Sequence, residues 1–180
     1  MRAVLDACVL VPPILREILL GVAARGLFEP LWSDRILEEW ARATRKFGPL
    51  AETEARARIA TLALTFPRAR LPAAPGVEAR IHLPDMNDAH VLAVAIAGSA
   101  DAIVTLNAQD FPRGILAEDK IARRDPDGLL WELWSGDPAA VEAAVAEVMG
   151  EAARRDGAAV SVRTLLKKAR LNRLARAMGQ

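Results

Sequence analysis

Short apolar runs alternate with longer amphipathic segments from the N-terminus to about residue 125. The run Ala3-Val4-Leu5 predicts a buried strand that ends at Asp6. A second strand is predicted over Ala102-Ile103-Val104-Thr105-Leu106, and one more around Ile121. Helical periodicity, with capping residues, Pro or Gly at the segment ends, predicts helices over about residues 13–26, 33–46, 51–66, 89–97, 128–134, 138–154 and 162–178.

This alternation predicts the fold class. Short apolar strands separated by helices are typical of an α/β fold, in which helices cover both faces of a mainly parallel sheet. The region after residue 127 has only helical patterns. We therefore expect a first domain over residues 1–127 and a C-terminal helical extension, residues 128–180, packed on or beside it. Ligands of such sheets bind outside the carboxyl ends of the strands, so functional side chains are expected after Leu5 and after Leu106.

The composition is that of an ordinary globular protein. Of the 180 residues, 52% are hydrophobic and 26% are charged, which allows one sizeable core. No apolar run reaches the roughly 18 residues of a membrane span. Asp6 interrupts the N-terminal apolar segment too early for a signal peptide. We therefore expect a cytoplasmic protein with no membrane partner.

Positive charge is concentrated at the C-terminus, although the net charge is only +1. From Gly157 onwards there is no acidic residue, and there are six basic ones: Arg163, Lys167, Lys168, Arg170, Arg173 and Arg176. Two interpretations stay open, because the segment is either a contact for phosphate groups or a solvated basic helix. Two interpretations also exist for the four tryptophans, Trp32, Trp40, Trp131 and Trp134. They stack on bases or belong to the core, and their helical spacing on apolar faces favours the core.

Polar residues follow both main predicted strands. Asp6 ends the first strand, and Asn107, Gln109 and Asp110 follow the second. The carboxyl ends of parallel strands meet at one edge of a sheet. We therefore expect these side chains to lie near each other, at the edge where such sheets bind ligands.

A further acid is predicted near this edge by helical periodicity. In the second predicted helix, the apolar face is formed by Ile36, Leu37 and Trp40. Glu39 lies on the flank of that face, at the rim of the core, where it can meet other groups. The alternative is a boundary residue that forms an ion pair with Arg35 or Arg42.

Three polar residues introduce the buried helix predicted over residues 89–97: Asp85, Asn87 and Asp88. Asp85 or Asn87 can cap free backbone N–H groups, and Asp88 suits the positive end of the helix dipole. Helix capping accounts for one acid at this position, but it does not account for three polar residues within four positions. Asp85 and Asp88 are therefore also candidate metal ligands. His90 is rotated by roughly 200° from Asp88. We expect it outside this site, as a structural or surface residue.

The types of donor atom indicate the metal and its chemistry. Carboxylate oxygens without a cysteine cluster or a well-placed histidine favour Mg²⁺ or Mn²⁺ over zinc. Such ions generate a hydroxide and align it with a phosphodiester bond. Cys8, the single cysteine, is expected to be a buried structural thiol. The sequence has no Walker-type glycine loop, no G-x-S-x-G motif and no H-E-x-x-H motif, which argues against the enzyme classes that use them.

Four segments together resemble the PIN-domain nucleases, and in particular the VapC-type toxins of type II toxin–antitoxin systems. They are L-D-A-C-V-L at residues 5–10, S-D-R-I-L-E-E-W at 33–40, P-D-M-N-D-A-H-V-L-A at 84–93 and A-I-V-T-L-N-A-Q-D-F-P at 102–112. Their order and spacing over residues 3–112 make the resemblance fairly specific. The helices after Gly128 also resemble the tail of a toxin subfamily.

The resemblance implies a three-layer α/β/α fold and RNA cleavage that depends on Mg²⁺ or Mn²⁺. It implies that the catalytic and metal-binding acids are Asp6, Glu39, Asp88 and Asp110. The accessory residues that it implies are Asp85, Thr105 and Asn107. It also implies frequent homodimers and inhibition by a small antitoxin protein that occludes the site.

Two positions depart from the family pattern. Cys8 stands where many relatives carry Ser, Thr or Asn, and Asn107 stands where others carry Asp. The identity of the fourth ligand therefore stays open between Asp110, Asn107 and a water molecule held by either.

Two other functions remain as alternatives. The first is a non-catalytic PIN-like module that binds RNA or a protein partner, in which the acids only contribute to binding that partner. The second is an aspartyl-phosphate enzyme with Asp6 as the nucleophile. The haloacid-dehalogenase-like form of that enzyme normally has a second Asp two residues later, where this chain has Cys8.

Overall fold

The computed structural model describes residues 1–156 and 161–179, and this part of the chain forms five strands and eleven α-helices. The strands are β1 (Arg2–Leu5), β2 (Glu29–Ser33), β3 (Arg70–Leu71), β4 (Ala102–Val104) and β5 (Ala122–Arg124). The helices are α1 (Ala7–Leu10), α2 (Pro13–Ala24), α3 (Asp34–Ala43), α4 (Ala51–Thr65), α5 (Pro75–Glu78), α6 (Ala89–Ala97), α7 (Arg113–Glu118), α8 (Pro126–Gly136), α9 (Pro138–Asp156), α10 (Val162–Lys168) and α11 (Asn172–Met178).

The chain divides into two units. Unit 1 comprises Met1–Val11 and Phe28–Arg124 and contains all five strands. Unit 2 comprises Pro12–Leu27 and Asp125–Gln180, so helix α2 is grouped with the C-terminal helices. The predicted extension also includes residues 157–160 and 180, which lie outside the described residues. The functional division at residue 127 stays a prediction.

Neighbouring strands of the sheet are parallel, in the order β3-β2-β1-β4-β5. Val4 of β1 pairs with Leu31 on one side and with Ile103 on the other. The strands predicted from the sequence are present as β1, β4 and β5, and the parallel sheet is confirmed. The pattern does not predict β2 and β3, because Pro30 interrupts the apolar run of β2 and β3 has only two residues.

Helices cover both faces of this sheet, and its central strands are therefore buried. Ala3, Val4 and Leu5 of β1 are fully shielded from solvent. Helix α6 packs on β1, β2 and β4, while α3 packs on β2, α1 and α4. Helix α6 is buried nearly all round, as its apolar sequence predicts. Unit 1 thus has the predicted three-layer α/β/α fold with a mainly parallel sheet.

The strand order changes direction between β1 and β4. From β1 the sheet extends through β2 to β3 on one side, whereas β4 and β5 lie on the other side. In sheets of this kind, ligands bind outside the carboxyl ends of the strands at such a switch point. Leu5 pairs with Val104, so the next residues, Asp6 and Thr105, are neighbours at this position.

Two helices begin at the same edge, because a helix that connects parallel strands runs back antiparallel to them. Helix α3 follows β2 directly, and its predicted cap is confirmed: Ser33 Oγ accepts a 3.3 Å hydrogen bond from the backbone N–H of Ile36. Helix α6 leads into β4, and the turn Met86–Asp88 precedes it. The second group of predicted acids therefore also lies at the carboxyl edge of the sheet.

Unit 2 is built from helices that pack on one another. Helices α2 and α9 approach closely at Gly21, where an added Cβ would lie 3.2 Å from the Cβ of Ala144. Helix α8 packs on α9 and α11, and α10 packs on α11. In the described part of the chain, no helix has both the length and the apolar character that a membrane span needs.

The prediction of one helix over residues 162–178 is wrong. Arg170 adopts a left-handed φ of 62°, which ends α10. The carboxylate of Asp127 then accepts hydrogen bonds from the backbone N–H groups of Arg173 (2.8 Å) and Leu174 (3.1 Å) in the first turn of α11. This cap comes from a residue that is distant in sequence, so local periodicity does not reveal the break.

Candidate metal centre

Asp6 lies at the carboxyl end of β1 with only 6% of its surface exposed. Its Oδ2 accepts a 2.7 Å hydrogen bond from Thr105 Oγ1 and a 2.9 Å hydrogen bond from Cys8 Sγ. Thr105 reaches Asp6 because β1 and β4 are neighbours, and Cys8 reaches it from the short helix α1. Both donors use the same carboxylate oxygen and fix the orientation of the group.

Cys8 is a hydrogen-bond donor to Asp6 and not an isolated core thiol. Its Sγ also accepts a 3.2 Å hydrogen bond from the backbone N–H of Leu106. Burial, followed by the negative charge of Asp6 and the hydrogen bond to it, raises the pKa of the Cys8 thiol to about 12. The thiol therefore stays protonated at neutral pH and keeps its proton on the Asp6 side.

Three carboxylates converge at the turn that precedes α6. One oxygen each of Asp85, Asp88 and Asp110 lies within 4.8 Å of the other two. Asp85 Oδ1 accepts hydrogen bonds from the backbone N–H (2.9 Å) and the side-chain amide (3.0 Å) of Asn87. Asp110 Oδ2 accepts a hydrogen bond from Asn107 Nδ2. All three acids are partly exposed, so a hydrated cation has access to them.

The environment of Asp88 disfavours its ionised form. Partial burial contributes most, and the negative charges of Asp6, Asp110 and Asp85 add to it. Together with a hydrogen bond to Asp110, these effects raise the pKa of Asp88 to about 6. A cation among the carboxylates would remove this repulsion and favour ionisation. Crowded acids with a raised pKa are typical of functional sites.

The loop after β4 is held in place from two sides. Thr105 Oγ1 accepts a 2.9 Å hydrogen bond from the backbone N–H of Asn107. Arg123 Nη1 of β5 donates to the carbonyl oxygens of Ala108 (2.5 Å) and Phe111 (3.1 Å). Arg123 is not among the residues predicted from the sequence, because nothing in its local sequence connects it with this loop. Only the pairing of β4 with β5 brings it there.

Glu39 of α3 contacts Arg35 and His90. Arg35 Nε donates a 3.1 Å hydrogen bond to Glu39 Oε1, and Arg35 Nη2 donates a 3.1 Å hydrogen bond to the carbonyl oxygen of Asn87. Burial alone would raise the pKa of Glu39, but its interactions with His90 and then with Arg35 outweigh burial and lower it. The ion pair with an arginine, which the sequence left open, is therefore present and also reaches the turn before α6.

Of the two expected placements of His90, structural or surface, the structure has the structural one. It is buried, with 3% of its surface exposed, and its Nε2 lies 3.0 Å from Glu39 Oε1. This approach is an electrostatic contact, because neither ring nitrogen has a well-aligned hydrogen-bond partner among the described residues. Helical periodicity relates His90 only to residues of its own segment, such as Asp88. Contact with Glu39 depends on the packing of α3, which local periodicity does not reveal.

The predicted site residues fall into three groups. The first group is the carboxylate cluster, formed by Asp85, Asp88 and Asp110 with Asn107 bonded to it. The second is the pair Asp6 and Thr105, of which Asp6 is near enough to raise the pKa of Asp88. The third is Glu39 with Arg35. Within the described residues, neither Asp6 nor Glu39 joins the cluster at its 4.8 Å spacing.

Comparison with known families agrees with this geometry. A family model described as a PIN domain matches residues 2–109, which is more than half of the chain. The chain belongs to the PIN-domain family. A search of the curated proteins and a search of the solved structures gave no match. The matched region of the PIN domain ends directly before Asp110, the last acid of the carboxylate cluster.

The residues of this PIN domain fit a hard divalent cation. PIN domains are in general nucleases that act on nucleic acids with the help of divalent metal ions. The carboxylate cluster offers only oxygen ligands, which Mg²⁺ and Mn²⁺ prefer. Burial and the neighbouring carboxylates raise the pKa of Asp88, and a cation among them would offset the repulsion between these acids. The arrangement is therefore suited to hold a divalent cation.

Proposed function

We propose that this PIN domain is an endoribonuclease that uses Mg²⁺ or Mn²⁺ to hydrolyse phosphodiester bonds of RNA. The observation that carries the proposal is the convergence of Asp85, Asp88 and Asp110 within 4.8 Å, with the buried Asp6 close enough to disfavour ionisation of Asp88. Asp6, Asp85 and Asp88 lie within the residues that the PIN-domain model matches, and Asp110 follows them directly. The acids lie at the carboxyl edge of the sheet, where such sheets bind ligands.

Four acids would hold the metal in this proposal: Asp6, Glu39, Asp88 and Asp110. Asp85 is an accessory residue that completes the carboxylate cluster. When bound, the divalent ion supplies an activated water and stabilises the negative charge that develops on the phosphate. The protein residues supply the geometry, because a shift of about 1 Å in a ligand can cost orders of magnitude in rate.

The accessory residues would keep the acids in position. Thr105 donates to Asp6, so the unbonded oxygen of this carboxylate has a defined direction. Asn107 donates to Asp110 and leaves its own side-chain oxygen as a further possible ligand or water acceptor. Arg35 bonds to Glu39 and to the carbonyl oxygen of Asn87, and so would hold α3 at the turn that carries Asp85 and Asp88.

The toxin role is part of the same proposal. It rests on the resemblance of the four motifs to VapC-type toxins, whose activity a small antitoxin blocks. We propose a cytoplasmic toxin that forms homodimers and is inhibited by a cognate antitoxin. Induced expression in a bacterial host tests this role. The parent chain should stop growth, and Asp88→Asn should not. Normal growth with the parent chain at high expression would contradict the toxin role.

The nuclease itself is tested with purified protein and labelled total RNA. We expect cleavage with Mg²⁺ and with Mn²⁺ and none with EDTA. Asp6→Asn and Asp88→Asn should each lower the rate at least about a hundredfold, because each removes a charged ligand. Asp119→Asn is the matched control, since Asp119 is exposed and forms no ion pair among the described residues. Cleavage that persists in EDTA, or in Asp88→Asn at the parent rate, would contradict the proposal.

A further inference from the structure

Unit 2 contains a cavity of about 530 Å³ whose walls are largely tryptophan and arginine. Helix α8 contributes Trp131 and Trp134, and α11 contributes Arg173, Arg176 and Ala177. In each helix the two large residues are three positions apart and so share a face. The cavity is open to solvent over most of its extent, so a chain-like ligand can enter it from the surface. None of these residues belongs to the proposed metal centre.

The aromatic wall of the cavity is accessible to solvent. Trp131 is 38% exposed, so the expectation that it belongs to the core is wrong, whereas Trp32 and Trp40 are buried as expected. Trp134 is partly exposed, and its Nε1 donates a 3.1 Å hydrogen bond to Glu142, which fixes the plane of the indole. Two rigid indoles with accessible surface offer a stacking platform for a planar ligand.

Arg173 extends this platform. Its guanidinium lies over the ring of Trp131, 4.5 Å from the ring centroid. The backbone N–H of Arg173 is bonded to the carboxylate of Asp127 at 2.8 Å, which holds the start of α11 beside α8. A guanidinium stacked on an indole presents a flat cationic face and several N–H donors. The cavity thus combines a surface for a base with donors for a phosphate.

Unit 2 carries a run of basic residues in its last two helices, of which Arg173 and Arg176 line the cavity. Six basic residues on and between α10 and α11 are all exposed, and none forms an ion pair with a carboxylate within the described ranges: Arg163, Lys167, Lys168, Arg170, Arg173 and Arg176. Other arginines, such as Arg35 and Arg56, do pair with glutamates. Cationic side chains without ion pairs, next to a surface on which rings can stack, favour the binding of a polyanion that carries planar groups.

We propose that this cavity binds single-stranded RNA, with an unpaired base stacked on Trp131 and Trp134 and neighbouring phosphates bound by Arg173 and Arg176. The inference rests on the proposed function, because it names how the nuclease would bind its substrate strand. A duplex fits poorly, since its bases stack on one another and are not available to indoles. An acidic protein segment would satisfy the arginines but would leave the indole surface unused.

The test uses the full chain in EDTA, so that binding is measured without cleavage. A fluorescein-labelled single-stranded RNA of about 12 nucleotides is titrated with protein, and its anisotropy is recorded. We expect Trp131→Ala and Arg173→Gln each to weaken binding about tenfold, and Trp131→Phe to retain most of it. Arg154→Gln is the matched control, because Arg154 is an exposed arginine of the same unit that pairs with Glu151.

Salt dependence and competition identify the ligand. Arg173→Gln should reduce the slope of log affinity against log salt concentration by about one, as expected for one lost phosphate contact. Unlabelled single-stranded RNA should displace the probe at lower concentration than duplex RNA or polyglutamate. A clear preference for polyglutamate, for duplex RNA or for single-stranded DNA would overturn the proposal, as would unchanged binding by both Trp131→Ala and Arg173→Gln.

Cleavage kinetics separate this inference from the proposed function. With Mg²⁺, Trp131→Ala should raise KM for long RNA and leave kcat unchanged, while circular dichroism checks that the variant is folded. A parent protein that binds RNA through Trp131 but cleaves none supports the inference and overturns only the nuclease proposal. A parent protein that cleaves RNA, with cavity variants that bind as tightly as the parent, overturns only the inference.

Discussion

Thr105 Oγ1 lies 2.7 Å from Asp6 Oδ2 and at the same time accepts the backbone N–H of Asn107 at 2.9 Å. One hydroxyl group thus connects the carboxylate after β1 with the loop after β4. The two strands are neighbours where the strand order changes direction, so this contact sets the position of Asp6 relative to the loop that carries Asp110.

Loss of this hydroxyl should impair catalysis more than folding. Thr105→Val keeps the shape of the side chain but removes these two hydrogen bonds and the 3.4 Å hydrogen bond with Cys8 Sγ. A hydrogen bond to a charged group contributes about 1.5–3 kcal/mol. We expect kcat for RNA cleavage to fall about tenfold or more, and Thr105→Ser to retain most of it. Thr61→Val is the control, because Thr61 is exposed and bonds only locally. Equal rates for the Val and Ser variants would contradict a positioning role for the hydroxyl.

The contact of His90 with Glu39 leads to a second prediction, in which activity and stability change in different directions. His90→Leu removes a buried ring that has no well-aligned hydrogen bond among the described residues, so Tm should stay equal or rise. Among the described residues Glu39 then keeps only Arg35 as a partner, and kcat should fall several-fold. His90→Gln, which restores a donor, should recover part of the loss.

The control for this prediction is His82→Leu, because the side chain of His82 is exposed. It should change neither kcat nor Tm. A His90→Leu protein with lower Tm and normal kcat would show that the histidine serves packing alone.

The raised pKa of Asp88 predicts how the metal-free protein responds to pH. The folded group titrates at about 6, whereas an unfolded aspartate titrates near about 4. The folded state therefore binds this proton more tightly than the unfolded state does. The bound proton contributes fully to the free energy of unfolding below about pH 4, and this contribution is lost as the pH rises through about 6. In urea unfolding with EDTA, Asp88→Asn should gain stability relative to the parent as the pH rises from about 4 to about 6.

Divalent metal should reverse this difference. At about pH 7, Mg²⁺ should stabilise the parent protein more than Asp88→Asn, because a ligand that binds only the folded state shifts unfolding. The two proteins could instead differ in free energy of unfolding by the same amount at every pH, with and without Mg²⁺. That result would contradict repulsion among the carboxylates as the cause of the raised pKa of Asp88.

The pKa of Cys8, about 12, predicts that its thiol reacts slowly with alkylating reagents. The thiolate is the reactive form, so alkylation by iodoacetamide in the folded protein should stay slow up to about pH 9 and rise only above it. Asp6→Asn removes the nearby charge and should make Cys8 react faster at the same pH. Mass spectrometry of the adduct over a pH series measures both effects. A reaction that reaches its half-maximal rate near pH 8 would contradict the hydrogen bond to Asp6.

Several of these relations follow from the sequence. The pattern of Ala3-Val4-Leu5 predicts a buried strand and so places Asp6 at a strand end, and the strand that leads to Thr105 does the same. Parallel strands bring their carboxyl ends to one edge, which predicts that the two residues are neighbours. Ser33 is also recognisable as a helix cap from its place before an apolar periodic run.

Other relations depend on tertiary packing and leave no local pattern. Arg123 bonds to the loop after β4 only because β5 pairs with β4. His90 contacts Glu39 because two helices from different parts of the chain come together. Asp127 caps α11 across a long stretch of sequence, so the break in the predicted C-terminal helix is not visible in its periodicity.

The most direct test compares metal binding with cleavage in the same protein preparation. Bound Mn²⁺ is measured by electron paramagnetic resonance, and RNA cleavage is measured over the same Mn²⁺ concentrations. We expect both curves to have the same midpoint. Asp88→Asn should shift both midpoints to at least about tenfold higher Mn²⁺ concentration, while Asp119→Asn should change neither. If Asp88→Asn bound Mn²⁺ like the parent protein, or if cleavage saturated where no Mn²⁺ was bound, the carboxylate cluster would not be the catalytic metal centre.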